Sequence, residues 1–323
     1  MDFQIDLASF SSSEHTVLEN EIYDVLVIGG GPAALNAVLY AARKKLKVAV
    51  ITDDIGGQIV TSSSIENWIG DIDIKSSVLV NRFYDHVQQF DIPIKKNTKV
   101  TSITHEELIK QISCTDGKTY QAKSIIVATG KSPRPLGIPG EKEFVGRGVA
   151  YCTTCDGPIF ENKKVVVVGG GNSGVEAAID MLSYASEVVI VQNLSELTSD
   201  AVLKEKVLND SRVSVVYDSV CLRIEGIDAV DKLMVKNTKT NTEEIIKTDG
   251  IFVEIGLIPA SNFVPDSIKN KMGEIEINAD CSTKIKGIFA AGDVTTVPFK
   301  QVVIAAGEGA KAALAVYNYV ITL

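Results

Sequence analysis

The chain has 323 residues, 45% of them hydrophobic but only 6% aromatic, with 32 Lys and Arg against 41 Asp and Glu, a net charge of −9. That is roughly two domains' worth of chain, and a core of Val, Ile, Ala and Leu suits parallel sheets covered by helices. The acidic balance argues against nucleic acid or an anionic membrane as partner, no apolar run reaches the roughly 18 residues of a membrane span, and five cysteines do not make a secreted disulfide scaffold.

Residues 1–21 read as an acidic extension, with Asp2, Asp6, Glu14, Glu19 and Glu21 and no Lys or Arg. That is the wrong charge for a signal peptide, so the expected location is the cytoplasm. From Tyr23 to Asp54 a β-branched run passes through a glycine triplet, continues at helical spacing and closes on a second β-branched run. This is the size and pattern of one βαβ unit. Gly29, Gly31 and Ala34 fill the GxGxxG/A positions, which supply a tight turn, close backbone approach to a pyrophosphate and close helix–strand packing. Asp53, just past the second strand, is the candidate ribose partner.

Ser124–Pro135 reads as a strand ending in Thr-Gly and a Pro-rich turn, a candidate domain crossing. Next comes Tyr151–Gly157, YCTTCDG. Cys152 and Cys155 lie at the spacing of a small redox disulfide. Zinc would need a second Cys or His pair, which Cys114, Cys221, Cys281 and the three histidines do not supply; two inert buried thiols are the other alternative. Asp156, beside the second cysteine, is either an acid for a departing thiolate or a turn residue before Gly157. Cys114 and Cys221 read as core and Cys281 as loop.

Lys164–Asn193 repeats the first unit without a gap at an offset of 140 residues. Gly169, Gly171 and Gly174 fill the glycine positions, and the ribose position falls on Gln192, an amide. Two dinucleotide sites imply two dinucleotides. Asp249–Ala260 mirrors the first crossing, and the chain ends in GIFAAGDVTT (Gly287–Thr296) and a long helix from about Gln301. The expected fold class is therefore α/β with two Rossmann-like dinucleotide-binding domains, residues 134–259 inserted between 22–133 and 260–323.

These residues resemble the low-molecular-weight, bacterial-type thioredoxin reductases. The likeness rests on GGGPAA, GGQ (Gly56–Gln58), ENW (Glu66–Trp68), ATG (Ala128–Gly130), CTTCDG and AAGD (Ala290–Asp293) in the family's order. The second half is similar to the flavoprotein reductase of the alkyl hydroperoxide system, whose thioredoxin-like N-terminal domains this sequence lacks. The resemblance implies FAD on the 22–133 and 260–323 domain, held by Gly29, Gly31, Pro32 and Ala34, with Gln58, Asn67 and Gly130 near the flavin. Gly292 and Asp293 would meet the ribitol, and Gln301 and Val302 would bring the final helix N-terminus to the pyrimidine end. Cys155 would exchange electrons with the flavin, Cys152 would attack the partner disulfide, and Asp156 would be the acid. A nicotinamide dinucleotide would lie on Gly169, Gly171, Asn172 and Gly174, beside Gln192. The implied partner is a thioredoxin- or glutaredoxin-like protein, and the implied assembly a homodimer.

NADPH-dependent members carry an HRR…R pattern after the second unit's last strand. Gln192–Asp200, QNLSELTSD, has no basic residue, so a 2′-phosphate is disfavoured and NADH is expected ahead of NADPH. A ferredoxin-dependent reductase that has lost nicotinamide use is the runner-up, and a flavin-bearing redox sensor that does not turn over is the rival of another class.

Overall fold

A computed structural model describes residues 16–61, 64–65, 67–105 and 108–323. Most of the acidic extension, and Glu66 of the ENW motif, lie outside the described residues; of the rest of the extension, Val17 is buried in the core.

The two glycine-bearing segments fold as β–α–β units, as the sequence predicts, with runs of strands between and after them. The first unit of chain holds β1 (Ile22–Ile28), α1 (Pro32–Arg43), β2 (Val48–Ile51), β3 (Ser64–Ile65), β4 (Ile74–Lys75), α2 (Ser76–Gln88), β5 (Ile94–Lys95), β6 (Val100–Thr104), β7 (Lys110–Cys114), β8 (Thr119–Val127) and β9 (Lys131–Pro133). There follow β10 (Val149–Ala150), α3 (Thr153–Asp156), β11 (Lys164–Val168), α4 (Asn172–Met181), β12 (Glu187–Val191), α5 (Ala201–Leu208) and β13 (Val213–Val216). The chain closes with β14 (Ser219–Gly226), β15 (Val230–Asn237), β16 (Glu243–Lys247), β17 (Gly250–Val253), β18 (Leu257–Pro259), β19 (Ile288–Ala290) and α6 (Val302–Val320).

Two compact units result: one extends to Ser132 and resumes from Pro259 to Leu323, and the other is Pro133–Ile258. In the discontinuous unit the sheet order is β5-β2-β1-β8-β7-β6, with β19 also on β8. β1 is parallel to both β2 and β8, which places its glycine-bearing C-terminal end in mid-sheet. Val25, Leu26 and Val27 are fully buried, as expected for a strand covered on both faces. Helix α6 crosses α1 closely: a Cβ on Gly309 would lie 2.0 Å from the Ala33 oxygen, and Asn36 Nδ2 donates to Ala306 O at 2.6 Å.

The inserted unit has an all-parallel sheet in the order β10-β17-β11-β12-β13 and a separate antiparallel sheet, β14-β15-β16. β11 again lies in mid-sheet, with Val165, Val166 and Val167 fully buried. Among the described residues no helix is long and apolar enough to cross a membrane.

Candidate active site

The two glycine turns are near copies in space. Gly29 and Gly169 have φ of +124° and +125°, a region in which glycine alone sits without strain. A Cβ on either would lie 2.3 Å from the backbone oxygen of the adjacent strand end, Ala128 O and Glu254 O respectively. Gly31 and Gly171 are the N-caps of α1 and α4, and no side chain caps either helix. A Cβ on Gly31 would meet only Gly57 Cα, at 4.0 Å, and one on Gly171 only Thr198 Oγ1, at 3.8 Å. Each helix therefore presents its first N–H groups across an open backbone face, the cradle a pyrophosphate takes. The residues fit a dinucleotide at both turns.

Around the first turn the structure gathers the other residues singled out in the sequence. Pro32 occupies the first turn of α1, where a missing N–H costs nothing, and Ala34 is fully buried. Gly56 N donates to Gly30 O at 2.9 Å, which lays the GGQ loop against the turn. Gln58 Nε2 donates to Lys131 O, next to Gly130 with its φ of +70°. Asn67 Nδ2 donates to Gln301 Oε1 at 3.1 Å. Gln301 in turn is the N-cap of α6, which begins at Val302 and has no side-chain cap. A Cβ on Gly292 would lie 2.9 Å from Ala33 Cβ, so the segment carrying Asp293 sits at the start of α1. The Asp293 carboxyl makes no hydrogen bond to a described side chain or backbone group; burial pushes its pKa up, while Lys300 and Lys131 pull it down. Asp53 stands apart, exposed and paired with Lys99 at 3.1 Å.

At the second turn the loop after β12 folds back as its counterpart does: Thr198 N donates to Gly170 O at 2.8 Å. Asn172 Nδ2 donates to Asp200 Oδ2 at 3.1 Å, and Asp200 N donates to Asn172 Oδ1 at 2.8 Å. At Gly174 a Cβ would lie 2.0 Å from Gly169 O, so this turn is tighter than the first, where alanine fits. Gln192 is engaged within its own loop. It is 4% exposed, its Nε2 donates to Glu196 O at 3.0 Å, and its Oε1 accepts from Asn193 N at 3.1 Å. Both ends of the amide already bond within the loop, leaving one N–H and one lone pair on a largely buried side chain. Two lysines outside the expected window reach this region, Lys204 to Glu196 at 3.7 Å and Lys239 to Asp218 at 3.0 Å; each already faces a carboxylate.

Cys152 and Cys155 form a disulfide with a Cα–Cα distance of 5.3 Å. Cys152 is the N-cap of α3, and its Sγ accepts a hydrogen bond from Cys155 N at 3.2 Å. That donor would favour a thiolate at Cys152 after reduction. The element is seated on α4: Thr153 Oγ1 donates to Asp180 Oδ2 at 3.4 Å, and a Cβ on Gly157 would come 3.1 Å from the Tyr184 ring. Asp156 is half-buried, and burial alone raises its carboxyl to about 6. Among the described residues its side chain has no hydrogen-bond partner, which weighs against a role as a turn-forming acceptor.

The raised carboxyl couples folding to pH. Folding favours the protonated Asp156, so the penalty is absent below the unfolded value near 4, grows as pH rises to about 6 and is complete above it. Asp156→Asn should therefore stabilise the protein by roughly 1–2 kcal/mol at pH 8 and leave it unchanged at pH 4. Denaturant melts at the two pH values check this; equal effects at both would contradict it.

Cys114 is buried in β7, and burial lifts its thiol to about 11; Cys221 is partly buried in β14, lifted to about 12. Cys281 does lie in a loop, but it is fully buried, and its Sγ donates to Glu308 Oε2 at 3.2 Å. No hydrophobic periodicity marks such a position. Sequence reading also passed over α2, although Val80, Tyr84 and Val87 lie at the i, i+4, i+7 spacing that signals a helix and, with Leu79, bury one face of it.

The pattern of the pyridine nucleotide-disulphide oxidoreductase family matches residues 23–309. The chain is 39% identical to a component of alkyl hydroperoxide reductase, the subunit designated F, from Staphylococcus aureus over 313 residues, 96% of this chain and 62% of that protein. It is also 39% identical to the corresponding Pseudomonas putida protein over 322 residues, 98% of this chain and again 62% of the other. This chain thus spans less than two thirds of the length of those relatives. Among solved structures, thioredoxin reductase from Streptococcus pyogenes superposes with a TM-score of 0.89 at 35% identity, covering 94% of this chain and 100% of that one. Thioredoxin reductase from Giardia duodenalis gives 0.88 at 29% identity, covering 93% and 99%.

Proposed function

Because the chain belongs to the pyridine nucleotide-disulphide oxidoreductase family, we propose that it is an FAD-dependent disulfide reductase whose working disulfide is Cys152–Cys155. The observation that carries this reading is that disulfide, in the same unit as a second intact glycine turn. FAD, when bound at the first turn, supplies two-electron transfer between a donor and the disulfide. Gly31 and the N-terminus of α1 would hold its pyrophosphate, Asp293 would accept from the ribitol, and Gln301 and Val302 would bring the uncapped end of α6 to the flavin, where the helix dipole favours negative charge. Asp53, just past β2, would be the partner of the adenosine ribose.

Two electrons and two protons convert the disulfide to two thiols; Asp156 supplies one of the protons and water the other. Cys152, whose thiolate is favoured by the Cys155 N–H, attacks the disulfide of a thioredoxin- or glutaredoxin-like protein. Cys155 then attacks the mixed disulfide, restoring the Cys152–Cys155 bond and releasing the partner as a dithiol. A homodimer in the cytoplasm is the setting this reading carries with it.

NADH is the preferred donor. Its 2′-hydroxyl needs no counter-charge, whereas the 2′-phosphate of NADPH would meet Glu196 and Asp200 with Lys204 and Lys239 already paired. Charge-assisted bonds to a phosphate contribute roughly 1.5–3 kcal/mol each, so NADH should reduce the flavin at least about tenfold faster than NADPH. Arg at both Asn193 and Leu194, which are exposed, should narrow the gap. Stopped-flow bleaching of the flavin with each nucleotide checks this; equal rates in the natural protein would refute it. A second reading, with ferredoxin as the donor, draws support from Gln192, whose amide already bonds within its own loop. Bleaching by reduced ferredoxin and by neither nucleotide would select it, and flavin reduction without turnover of any disulfide protein would select a sensor.

A further inference from the structure

The duplication isolates one residue that the fold does not require. In the first unit Ile28 pairs with Val127, and the next residues, Gly29 and Ala128, are the close approach at the turn. In the second, Val168 pairs with Val253, and the next residues are Gly169 and Glu254. The backbone work is the same: Glu254 N donates to Val168 O at 2.9 Å, just as Ala128 N donates to Ile28 O at 2.8 Å. Only the side chain differs, buried alanine at one turn and a half-buried carboxyl at the other.

Glu254 sits at the C-terminal end of β17, beside the glycine turn that ends β11. Dinucleotides lie outside the carboxyl ends of such strands, with the adenosine ribose at the end of the strand after the glycine helix, which is β12. The β17 side is then the nicotinamide half. Among the described residues no group hydrogen-bonds the Glu254 carboxyl. Burial, and then the facing carboxylates of Asp180 and Glu176, both on α4, raise it to about 7.

Resting on the reading that this unit binds NAD(H), we propose that Glu254 is the specificity-determining residue that reads the charge of the nicotinamide ring. Loss of a hydride to the flavin leaves that ring cationic. An ionised Glu254 favours the cation, while a neutral one meets the carboxamide of either form as a hydrogen-bonding partner. The pyrophosphate is common to NAD⁺ and its reduced counterpart, so its repulsion cancels in the ratio of their affinities. That ratio should rise with pH in the range where Glu254 ionises.

The test uses oxidised holoenzyme titrated with NAD⁺ and with 1,4,5,6-tetrahydro-NAD, a neutral analogue that donates no hydride. We expect the ratio of affinities, NAD⁺ over analogue, to rise about tenfold between pH 6 and pH 8.5, with proton release on binding NAD⁺ near pH 7. Glu254→Gln should flatten the ratio and abolish the proton release while binding the analogue as before, and Glu254→Asp should keep part of the pH dependence. A flat ratio in the natural protein overturns the proposal, as does an undiminished slope in Glu254→Gln, which would pass the role to Glu176 or Asp180. Binding of neither ligand at any pH overturns the donor reading itself, and this proposal with it.

Discussion

Cys152→Ser and Cys155→Ser should each lower turnover of a thioredoxin-like disulfide by on the order of a thousandfold or more, because neither remaining thiol can complete the exchange. The two variants should nevertheless differ. Cys155→Ser keeps the thiol whose Sγ now accepts the residue-155 N–H, so it should trap a mixed disulfide with the partner. Cys152→Ser keeps the thiol assigned to the flavin side and should show a long-wavelength thiolate-to-flavin charge-transfer band. If the band instead appears in Cys155→Ser, the two roles are exchanged. If turnover survives both changes, the pair is not the working disulfide.

Gly31→Val should give a folded, colourless protein. Its φ and ψ of −80° and −174° suit any residue, and a Cβ there meets only Gly57 Cα at 4.0 Å, so the chain itself tolerates the change. A bulky side chain fills the face through which a pyrophosphate must approach the α1 N-terminus, and FAD affinity should fall at least about a hundredfold, near 3 kcal/mol. Gly29→Ala is the contrasting variant: the added Cβ would lie 2.3 Å from Ala128 O at a φ of +124°, and the fold itself should weaken by about 1–3 kcal/mol or more. Equilibrium dialysis of FAD and thermal melts of the apoprotein separate the two effects. A yellow Gly31→Val protein with unchanged affinity would move the FAD away from this turn.

What the sequence made legible was what the backbone itself demands. Gly29 and Gly169 had to be glycine because of their positive φ and the strand end pressed against them, so both Rossmann turns could be read directly. Cys152 and Cys155 were legible because a local disulfide needs only local spacing. Contacts that depend on the folded path of the chain were not. Nothing in QNLSELTSD shows that Gln192 turns both ends of its amide to its own loop, or that Lys204 reaches Glu196 from the following helix. Glu254 was invisible for the same reason: its place beside Gly169 follows from the β11–β17 register, across 85 residues of chain. Cys281 was read correctly as loop but not as buried, since its burial comes from packing into a hydrophobic cluster of distant segments, with its Sγ bonded to Glu308 of α6.

The central claim, that flavin and disulfide form one electron-transfer unit, is tested most directly by counting electrons. Anaerobic titration with dithionite, followed by the flavin absorbance and by thiol alkylation, is independent of the donor. The FAD and the Cys152–Cys155 disulfide should together take up two two-electron equivalents per chain, with both cysteines alkylated at the end point, and the double Cys→Ser variant should take up one. Uptake of a single equivalent by the natural protein, with Cys152 and Cys155 still joined when the flavin is fully bleached, would contradict the account.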